Sequence, residues 1–303
     1  MEYKKIMVMG AGAVGAYFGA RIQQSSNAEV AFIARGAHLE AIQTHGIRVE
    51  SPEGDARVKV DAFESPTEAG TPDLVLFTVK SYDTEAAIED LKPVVSEHTQ
   101  ILTIQNGIEN YEKLRQAFGS DRVIQGFCRI GASITEPGVI RHISLGSVVV
   151  GEPDGSRTDR LQALEGLFEN THIQFTISDD IWHEVWVKFT WNSIFNMMTA
   201  VGEVTVDKLF VEPESEQLCY NLFDEIRQVA KREGIELNEQ DRERIIEQSR
   251  ALEGFTTSTY NDRKSGKKLE YEAFTGAIVR LAQKHEVAVP CNQTMYAFLK
   301  LIT

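Results

Sequence analysis

The sequence of 303 residues is poor in cysteine and has no long apolar run. Its three cysteines, Cys128, Cys219 and Cys291, are widely spaced and odd in number, which argues against a disulfide framework and suits a reducing compartment. None of the seven histidines is followed by another three or four residues later, so no helical zinc motif is present and no metal is expected. No segment approaches the roughly 18 apolar residues of a membrane-spanning helix, and the N-terminus lacks the layout of a signal peptide. We therefore expect a cytoplasmic protein that does not bind a membrane.

Positive charge is also scarce. The 31 lysines and arginines against 45 aspartates and glutamates give a formal net charge of −14. This balance argues against nucleic acid as a partner, but a local basic pocket could still bind a small acidic substrate. The length is sufficient for two domains.

The first part of the chain alternates short apolar runs with helical patterns. Such runs indicate strands of a parallel sheet that is covered on both faces. The runs are KIMVM, AEVAFIAR, DLVLFTVK and TQILTIQNG, followed by RVIQGFCRIGASIT and GVIRHISLGSVVVG around the Pro137-Gly138 turn; IRVESPEG and ARVKVDAF predict a hairpin. We predict an α/β domain of Rossmann type over residues 1–177.

The second part, residues 178–303, is predicted to be all-α. Helices are expected at about 182–199, 215–233, 238–252, 268–285 and 291–302. Asn238 is a candidate N-cap, and Pro290 suits the first turn of a helix. Because no low-complexity linker separates the two parts, we expect a packed junction with a cleft between the domains.

The segment MGAGAVGAYFG contains the spacing G-x-G-x-x-G, which alone could simply punctuate a loop. Here a strand precedes it, a helix follows it, and a marker position lies about 20 residues further on, as dinucleotide binding requires. The helix N-terminus would supply free N–H groups to the phosphates. The predicted cofactor-binding residues of this loop are Gly10, Ala11, Gly12, Ala13, Val14 and Gly15.

Arg35 occupies the marker position, where NAD-binding sites usually have an acidic residue. A guanidinium can bind a 2′-phosphate through two hydrogen bonds, so the sequence favours NADP. The alternative is a solvated arginine in a surface loop. Lys80 and Asn106 also follow apolar strands, and parallel sheets bind ligands at such strand ends. For Lys80 alone, a solvated loop lysine is the alternative.

Polar residues recur on the very apolar predicted helix near 182–199. Lys188, Asn192 and Asn196 are spaced i, i+4, i+8 and should form one row. A buried lysine is costly unless it is paired or catalytic, so this row could line a pocket. Alternatively, Lys188 extends to the surface and the asparagines bond to neighbouring loops.

Glu270 is expected on the same face as the apolar stripe of the predicted helix 268–285. A carboxylate turned inward could form an acid/base pair with Lys188. The alternative is a carboxylate at a helix start, where the helix dipole favours it.

These motifs together resemble those of the ketopantoate reductase (2-dehydropantoate 2-reductase) family over essentially the whole chain. The matching segments, in family order, are GAGAVG, Arg35, TVKSYD, QNG, PGVIRH, WVKFTWNSIFN, TSTYNDRKSGKKLEYEAFTG and VAVPCNQ. The resemblance implies reduction of a small 2-oxo acid, 2-dehydropantoate, to (R)-pantoate by NADPH, in the pathway to pantothenate and coenzyme A.

The resemblance also implies a role for each matching residue. Lys188 would be the general acid, and Glu270 would bond the substrate hydroxyl or the cofactor and help to place the lysine. Asn192, Asn196 and Ser258 would bind the substrate. Lys80, Asn106 and the backbone of Ala132 would hold the cofactor.

Two departures from the family pattern bear on the substrate. Val206 lies near the position at which the family has a further substrate-binding asparagine. The segment KKLEYEAFTG differs from the family's more usual sequence, TEID or TEIN. A missing polar contact can relax substrate choice. The alternatives are therefore a reductase of another branched 2-oxo acid and a non-catalytic NADP-binding sensor. A hydroxy-acid or amino-acid dehydrogenase would more naturally use a catalytic histidine. The assembly state is not determined by the sequence; a homodimer through the helical part is our hypothesis.

Overall fold

The computed structural model of the chain describes residues 2–303. They divide into two compact units. Unit 1 extends to Asn106 and resumes over Asn110–Ile181, and unit 2 comprises Gly107–Glu109 and Trp182–Thr303. The functional division proposed from the sequence, a cofactor domain over 1–177 and a catalytic domain over 178–303, stays a prediction.

Unit 1 consists of one sheet and its helices. The strands are β1 (Lys5–Met9), β2 (Glu29–Ile33), β3 (Ile47–Glu50), β4 (Ala56–Val58), β5 (Asp61–Phe63), β6 (Leu74–Phe77), β7 (Gln100–Thr103), β8 (Val123–Glu136), β9 (Val139–Gly151) and β10 (Gln174–Ile177). The helices are α1 (Ala13–Ser25), α2 (Gly36–His45), α3 (Pro66–Ala69), α4 (Thr84–Leu91), α5 (Asn110–Phe118) and α6 (Asp159–Phe168), with a 3₁₀ turn at Ser81–Asp83.

The sheet has ten strands and is mixed but mostly parallel. Its order is β4-β3-β9-β8-β7-β6-β1-β2-β5, and β10 pairs with β9. The neighbouring strands from β8 through β7, β6, β1 and β2 to β5 pair in parallel. β3 and β10 are each parallel to β9, whereas β8 with β9 and β3 with β4 are antiparallel. The central strands are buried on both faces, as their continuous apolar runs predict. The predicted α/β fold with a parallel sheet is confirmed.

The predicted hairpin is correct in its first half only. β3 and β4 pair antiparallel, with Ile47 opposite Val58. The residues that follow leave this pair, and β5 joins the sheet parallel to β2, with Phe63 beside Ile33. β5 thereby covers the edge of β2, which would otherwise expose unpaired backbone groups.

Unit 2 is helical, as predicted. Its elements are α7 (Ile181–Trp191), a π-helical turn (Asn192–Asn196), α8 (Met197–Gly202), a 3₁₀ turn (Val206–Phe210), α9 (Pro213–Arg232), α10 (Glu239–Arg250), α11 (Ser258–Lys264), a 3₁₀ turn (Tyr271–Ala273), α12 (Thr275–Lys284) and α13 (Pro290–Leu301). Its core contains fully buried aromatic side chains, among them Phe195, Phe223 and Phe274.

The helix ends test the sequence-based predictions. Asn238 caps α10 and forms a reciprocal capping box with Asp241, and Pro290 occupies the first turn of α13. The prediction of one helix over 268–285 is wrong, because α12 begins only at Thr275. Phe274 has φ −114° and ψ −94°, outside the α-helical region, so no helix can pass through it.

Residues 2–303 contain neither a candidate membrane span nor a candidate metal cluster. No helix within residues 2–303 is both long enough and apolar enough to cross a bilayer. No group of three or more His, Cys, Asp or Glu side chains in the same range could hold a metal ion. The three cysteines are free thiols.

Candidate functional site

Glycine occupies each of the three positions after β1 for a different structural reason. Gly10 has φ +95°, a conformation that side chains rarely adopt. At Gly15 a β-carbon would lie 2.4 Å from both the Gly10 carbonyl oxygen and the Thr78 Oγ1. At Gly12, in contrast, an added β-carbon would meet no protein atom within 4 Å. The space above Gly12 is therefore left open by the protein itself.

The N-terminus of α1 is suited to an anion at this open space. Gly12 is its N-cap and brings no side-chain cap, and the first turn contains no acidic residue. The backbone N–H groups of Ala13 and Val14 belong to the first turn of the helix, where no intrahelical acceptor exists. They can donate to a phosphate, which the helix dipole also favours. The glycine turn thus fits a dinucleotide pyrophosphate.

His38 on α2 fixes this turn, a role that the sequence analysis missed. Its Nδ1 accepts a hydrogen bond from the Gly138 N–H at 3.0 Å, so its Nε2 must donate to the Ala11 carbonyl oxygen at 2.9 Å. Burial lowers the pKa of His38 below its usual value of 6.5, which keeps the ring neutral. His38 therefore connects the glycine turn to the turn between β8 and β9. No spacing in the sequence marks this residue.

Arg35 precedes α2 as its N-cap residue, close to the end of β2. Its side chain is 71% exposed, and its Nη2 lies 3.6 Å from Oδ2 of Asp90 on α4. Exposed ion pairs of this kind contribute little, so the guanidinium can turn toward a ligand at small cost. The position and exposure of Arg35 fit a 2′-phosphate.

Lys80 and Asn106 lie on loops that one buried side chain joins. Gln105, next to Asn106, donates from Nε2 to the Val79 carbonyl oxygen at 2.8 Å and to Thr84 Oγ1 at 3.0 Å. Thr84 in turn donates to Asn110 at 3.0 Å. The loop after β6 and the loop after β7 are thereby held side by side. Gln105 is a second residue that the sequence analysis missed, although it directly precedes the predicted Asn106.

Ala132 lies on β8 and is partly buried. The register between β8 and β9 shifts at Gly131/Ala132, so the ladder is irregular at this residue. Such irregularities re-aim backbone groups, and the backbone of Ala132 is the group that the family resemblance assigns to the cofactor.

In unit 2, the predicted polar row begins on α7 and continues into the π turn. Lys188 is half-buried in the last turn of α7. Asn192 and Asn196 are 7% and 2% exposed, and they begin and end the π turn. Single π turns within helices are rare and are frequently found at functional sites. The three residues lie on one continuous helical segment, as predicted, but the segment is not a regular α-helix.

Asn196 and Ser258 are brought together by the fold. The Asn196 Nδ2 donates to Ser258 Oγ over 3.5 Å, a long hydrogen bond, and Ser258 is the first residue of α11. The Asn196 Oδ1 is buried and has no hydrogen-bond partner. If the amide were turned over, its nitrogen would be the unsatisfied atom instead. One polar atom of this amide is therefore left for a ligand.

Glu270 is buried, at 7% exposed, but it does not lie where the sequence analysis placed it. It precedes the 3₁₀ turn Tyr271–Ala273 and is not part of α12, so the predicted common helix face with the apolar stripe is wrong. Val206 is fully buried in the hydrophobic core of unit 2. An apolar side chain in that place packs and donates no hydrogen bond.

These residues form two groups with different chemistry. The group in unit 1 offers helix N–H donors and cations to a phosphorylated ligand. In unit 2 the structure joins the Asn196 amide to the Ser258 hydroxyl. That the Lys188 ammonium, the Asn192 amide and the Glu270 carboxyl group act with them on a small acidic molecule stays a prediction.

Comparisons with known proteins cover nearly all of the chain. Residues 6–155 match the family described as "Ketopantoate reductase PanE/ApbA", and residues 180–303 match "Ketopantoate reductase PanE/ApbA C terminal". A 2-dehydropantoate 2-reductase of Aquifex aeolicus is 31% identical over 98% of this chain and 96% of its own.

Solved structures agree with this. A PanE/ApbA family ketopantoate reductase from Ralstonia eutropha superposes with a TM-score of 0.92 at 30% identity, covering 98% of both chains. A D-mandelate dehydrogenase, solved with NADH and anilino(oxo)acetate, has a TM-score of 0.90 at 22% identity over 98% of this chain and 97% of its own. At that identity the similarity shows the fold alone.

Proposed function

Because the chain belongs to the ketopantoate reductase family, and is thus an oxidoreductase, we propose that it reduces 2-dehydropantoate to (R)-pantoate with NADPH. This reaction would serve the synthesis of pantothenate and coenzyme A. The observation that carries the proposal is the buried Asn196 amide, beside Ser258 and on the same helical segment as Lys188, with one polar atom left for a ligand.

The residues of unit 1 would hold the cofactor, which supplies the hydride when it is bound. The N–H groups of Ala13 and Val14 would donate to the pyrophosphate, and Gly12 would admit it. Arg35 would bind the 2′-phosphate that distinguishes NADPH from NADH. Lys80, Asn106 and the backbone of Ala132 would hold the rest of the cofactor.

The residues of unit 2 would bind the substrate and complete the chemistry. Asn192, Asn196 and Ser258 would orient the 2-oxo acid. When hydride reaches the carbonyl carbon, negative charge develops on the carbonyl oxygen, and the Lys188 ammonium would stabilise that charge and donate the proton. Glu270 would keep the ammonium in place, since a carboxylate favours the charged form of a lysine.

Reduction of another branched 2-oxo acid is the second candidate. Val206 favours it, because a fully buried valine offers no hydrogen bond to a substrate hydroxyl at a position where the family has an asparagine. A cytoplasmic location and a homodimeric assembly stay predictions.

The test is NADPH oxidation with a panel of 2-oxo acids that are branched at C3, with and without a hydroxyl on the neighbouring C4. We expect the highest kcat/KM for 2-dehydropantoate. A higher kcat/KM for a branched acid without the hydroxyl would move the assignment to the second candidate. Binding of NADPH without turnover of any 2-oxo acid would support the non-catalytic sensor instead.

A further inference from the structure

Asn196 and Ser258 belong to separate helical elements, the π turn and α11. Their side chains stay close together only if other contacts join these two elements. α11 has seven residues, too few to be stable alone. The hydrogen bond between Ser258 and Asn196 is itself long, at 3.5 Å, and is a weak tether. At its far end α11 is tied by Arg263, which donates to the Ala200 and Val201 carbonyl oxygens. The end that carries Ser258 has a separate tie to the segment that carries Asn196.

A chain of buried hydroxyl groups supplies that tie. Thr199 Oγ1 donates to the Phe195 carbonyl oxygen at 2.6 Å, within the π turn. Its oxygen lies 2.8 Å from Thr257 Oγ1, and Thr257 accepts the Tyr260 N–H at 3.2 Å as the N-cap of α11. Because each hydroxyl has one proton, Thr257 must donate to Thr199 if Thr199 donates to Phe195.

Both threonines are nearly or fully buried, at 0% exposed for Thr199 and 1% for Thr257. Their bonds are therefore not replaced by water, and a missing hydroxyl would leave a buried partner unsatisfied. This series of hydrogen bonds begins at Phe195, one residue before Asn196, and reaches Thr257, one residue before Ser258. It links the backbones of the two elements that present the candidate substrate-binding side chains.

We propose that Thr199 is a positioning residue for the 2-oxo acid: its hydroxyl sets the distance between Asn196 and Ser258. The inference rests on the proposed function, because the ligand it concerns is the proposed substrate. Thr199 does not touch that ligand; it acts through the cap of α11.

Thr190 provides a matched control within the same helical segment. It is also 0% exposed, and its hydroxyl also donates to the carbonyl four residues earlier, Trp186, at 2.7 Å. It lacks a bond to α11. Thr190→Val and Thr199→Val each remove a bond to the carbonyl four residues earlier, and Thr199→Val also removes a longer one, at 3.2 Å, to the Asn196 carbonyl oxygen. Both variants should have a lower melting temperature. Only Thr199→Val removes the link to Thr257.

The experiment compares Thr199→Val, Thr199→Ser and Thr190→Val by steady-state kinetics and by hydrogen exchange. We expect Thr199→Val to raise KM for 2-dehydropantoate by about threefold to tenfold over Thr190→Val, the equivalent of one lost hydrogen bond. The Kd for NADPH should not change, and Thr199→Ser, which keeps the hydroxyl, should restore KM. Thr199→Ala serves if the valine variant does not fold.

Hydrogen exchange needs no substrate, so it tests the positioning role of Thr199 separately from the proposed reductase function. Amides of residues 258–264 should exchange faster in Thr199→Val than in Thr190→Val. If the unmodified protein does not reduce 2-dehydropantoate, the proposed function fails while the exchange result still stands for the link. Equal KM values in the two valine variants, equal exchange, no rescue by serine, or unfolding of both Thr199→Val and Thr199→Ala would each overturn the positioning role.

Discussion

Arg35 is the residue on which the proposed preference for NADPH depends. Arg35→Ala should raise KM for NADPH by about tenfold to a hundredfold, the range of one charge-assisted hydrogen bond, and leave KM for NADH little changed. Asp90 lies 3.6 Å from the guanidinium and would repel a 2′-phosphate. Asp90→Asn should therefore lower KM for NADPH slightly or leave it unchanged. Equal use of both cofactors by the unmodified protein would contradict the assignment.

Lys188 is the proposed general acid. Lys188→Ala should lower kcat by about 10²–10⁴, the usual contribution of a positioned acid. The Kd for NADPH, measured by fluorescence titration, should stay within about twofold, because unit 1 carries the residues proposed for that binding. A folded variant that binds NADPH and keeps more than a tenth of kcat would remove Lys188 from this role.

His38 should make stability depend on pH near neutrality. Its pKa is lowered in the folded chain by burial, so between that value and 6.5 the unfolded chain holds more protons. The free energy of unfolding should then decrease as the pH falls from about 7.5 to about 5.5. In His38→Gln, which keeps a donor for Ala11, the free energy of unfolding should decrease less over this pH range. Urea unfolding at each pH measures it.

His98→Gln is the control for this effect, because the His98 side chain is 86% exposed. This variant should follow the pH dependence of the unmodified protein. If His38→Gln and His98→Gln gave the same curve, a lowered pKa of His38 would not be the source of the pH dependence.

At this scale the sequence predicted residue types better than contacts. Arg35, Lys80 and Asn106 stand out as candidates because polar residues after apolar strands are conspicuous, and their role in binding a cofactor stays a prediction. His38 and Gln105 were missed because their roles depend on which carbonyl oxygen approaches them in space. No periodicity encodes that approach.

At the scale of elements, helix boundaries were predicted well wherever a local signal exists. The capping box of α10 is such a signal, and Asn238→Ala should lower the free energy of unfolding by about 1 kcal/mol. Asn238→Ser, which keeps a capping oxygen, should lose only a fraction of that. Urea unfolding of both variants checks the expectation, and equal losses would mean that the cap does not contribute.

The π turn is one of the elements that the sequence does not predict, as is the short helix α11. On a regular α-helix a row spaced i, i+4, i+8 drifts by about 80° around the axis. A π turn has more residues per turn, so each residue rotates the chain less and Asn196 returns toward the line of Lys188. The sequence pattern located the row, but the wider turn depends on packing within unit 2.

At the scale of the whole molecule, the fold class and the order of the two parts followed from hydrophobic patterning. Continuous apolar runs gave the parallel strands, and the change near residue 178 gave the helical part. The position of β5 did not follow, because an alternating run specifies a strand but does not specify its partner. The break at Phe274 did not follow either. The poor helix former nearby, Gly276, lies inside α12, so helix propensity does not locate the break.

The three glycines after β1 differ in whether the fold or a ligand requires them. The fold itself disfavours a side chain at Gly10, because of its positive φ, and at Gly15, because a β-carbon would lie 2.4 Å from the Gly10 carbonyl oxygen. Gly12 has no such protection, because no protein atom lies within 4 Å of its added β-carbon. A descendant that had abandoned its ligand would be free to replace Gly12 first. A saturation library sorted for folding alone should therefore tolerate side chains at Gly12, and the same library sorted for nucleotide binding should not.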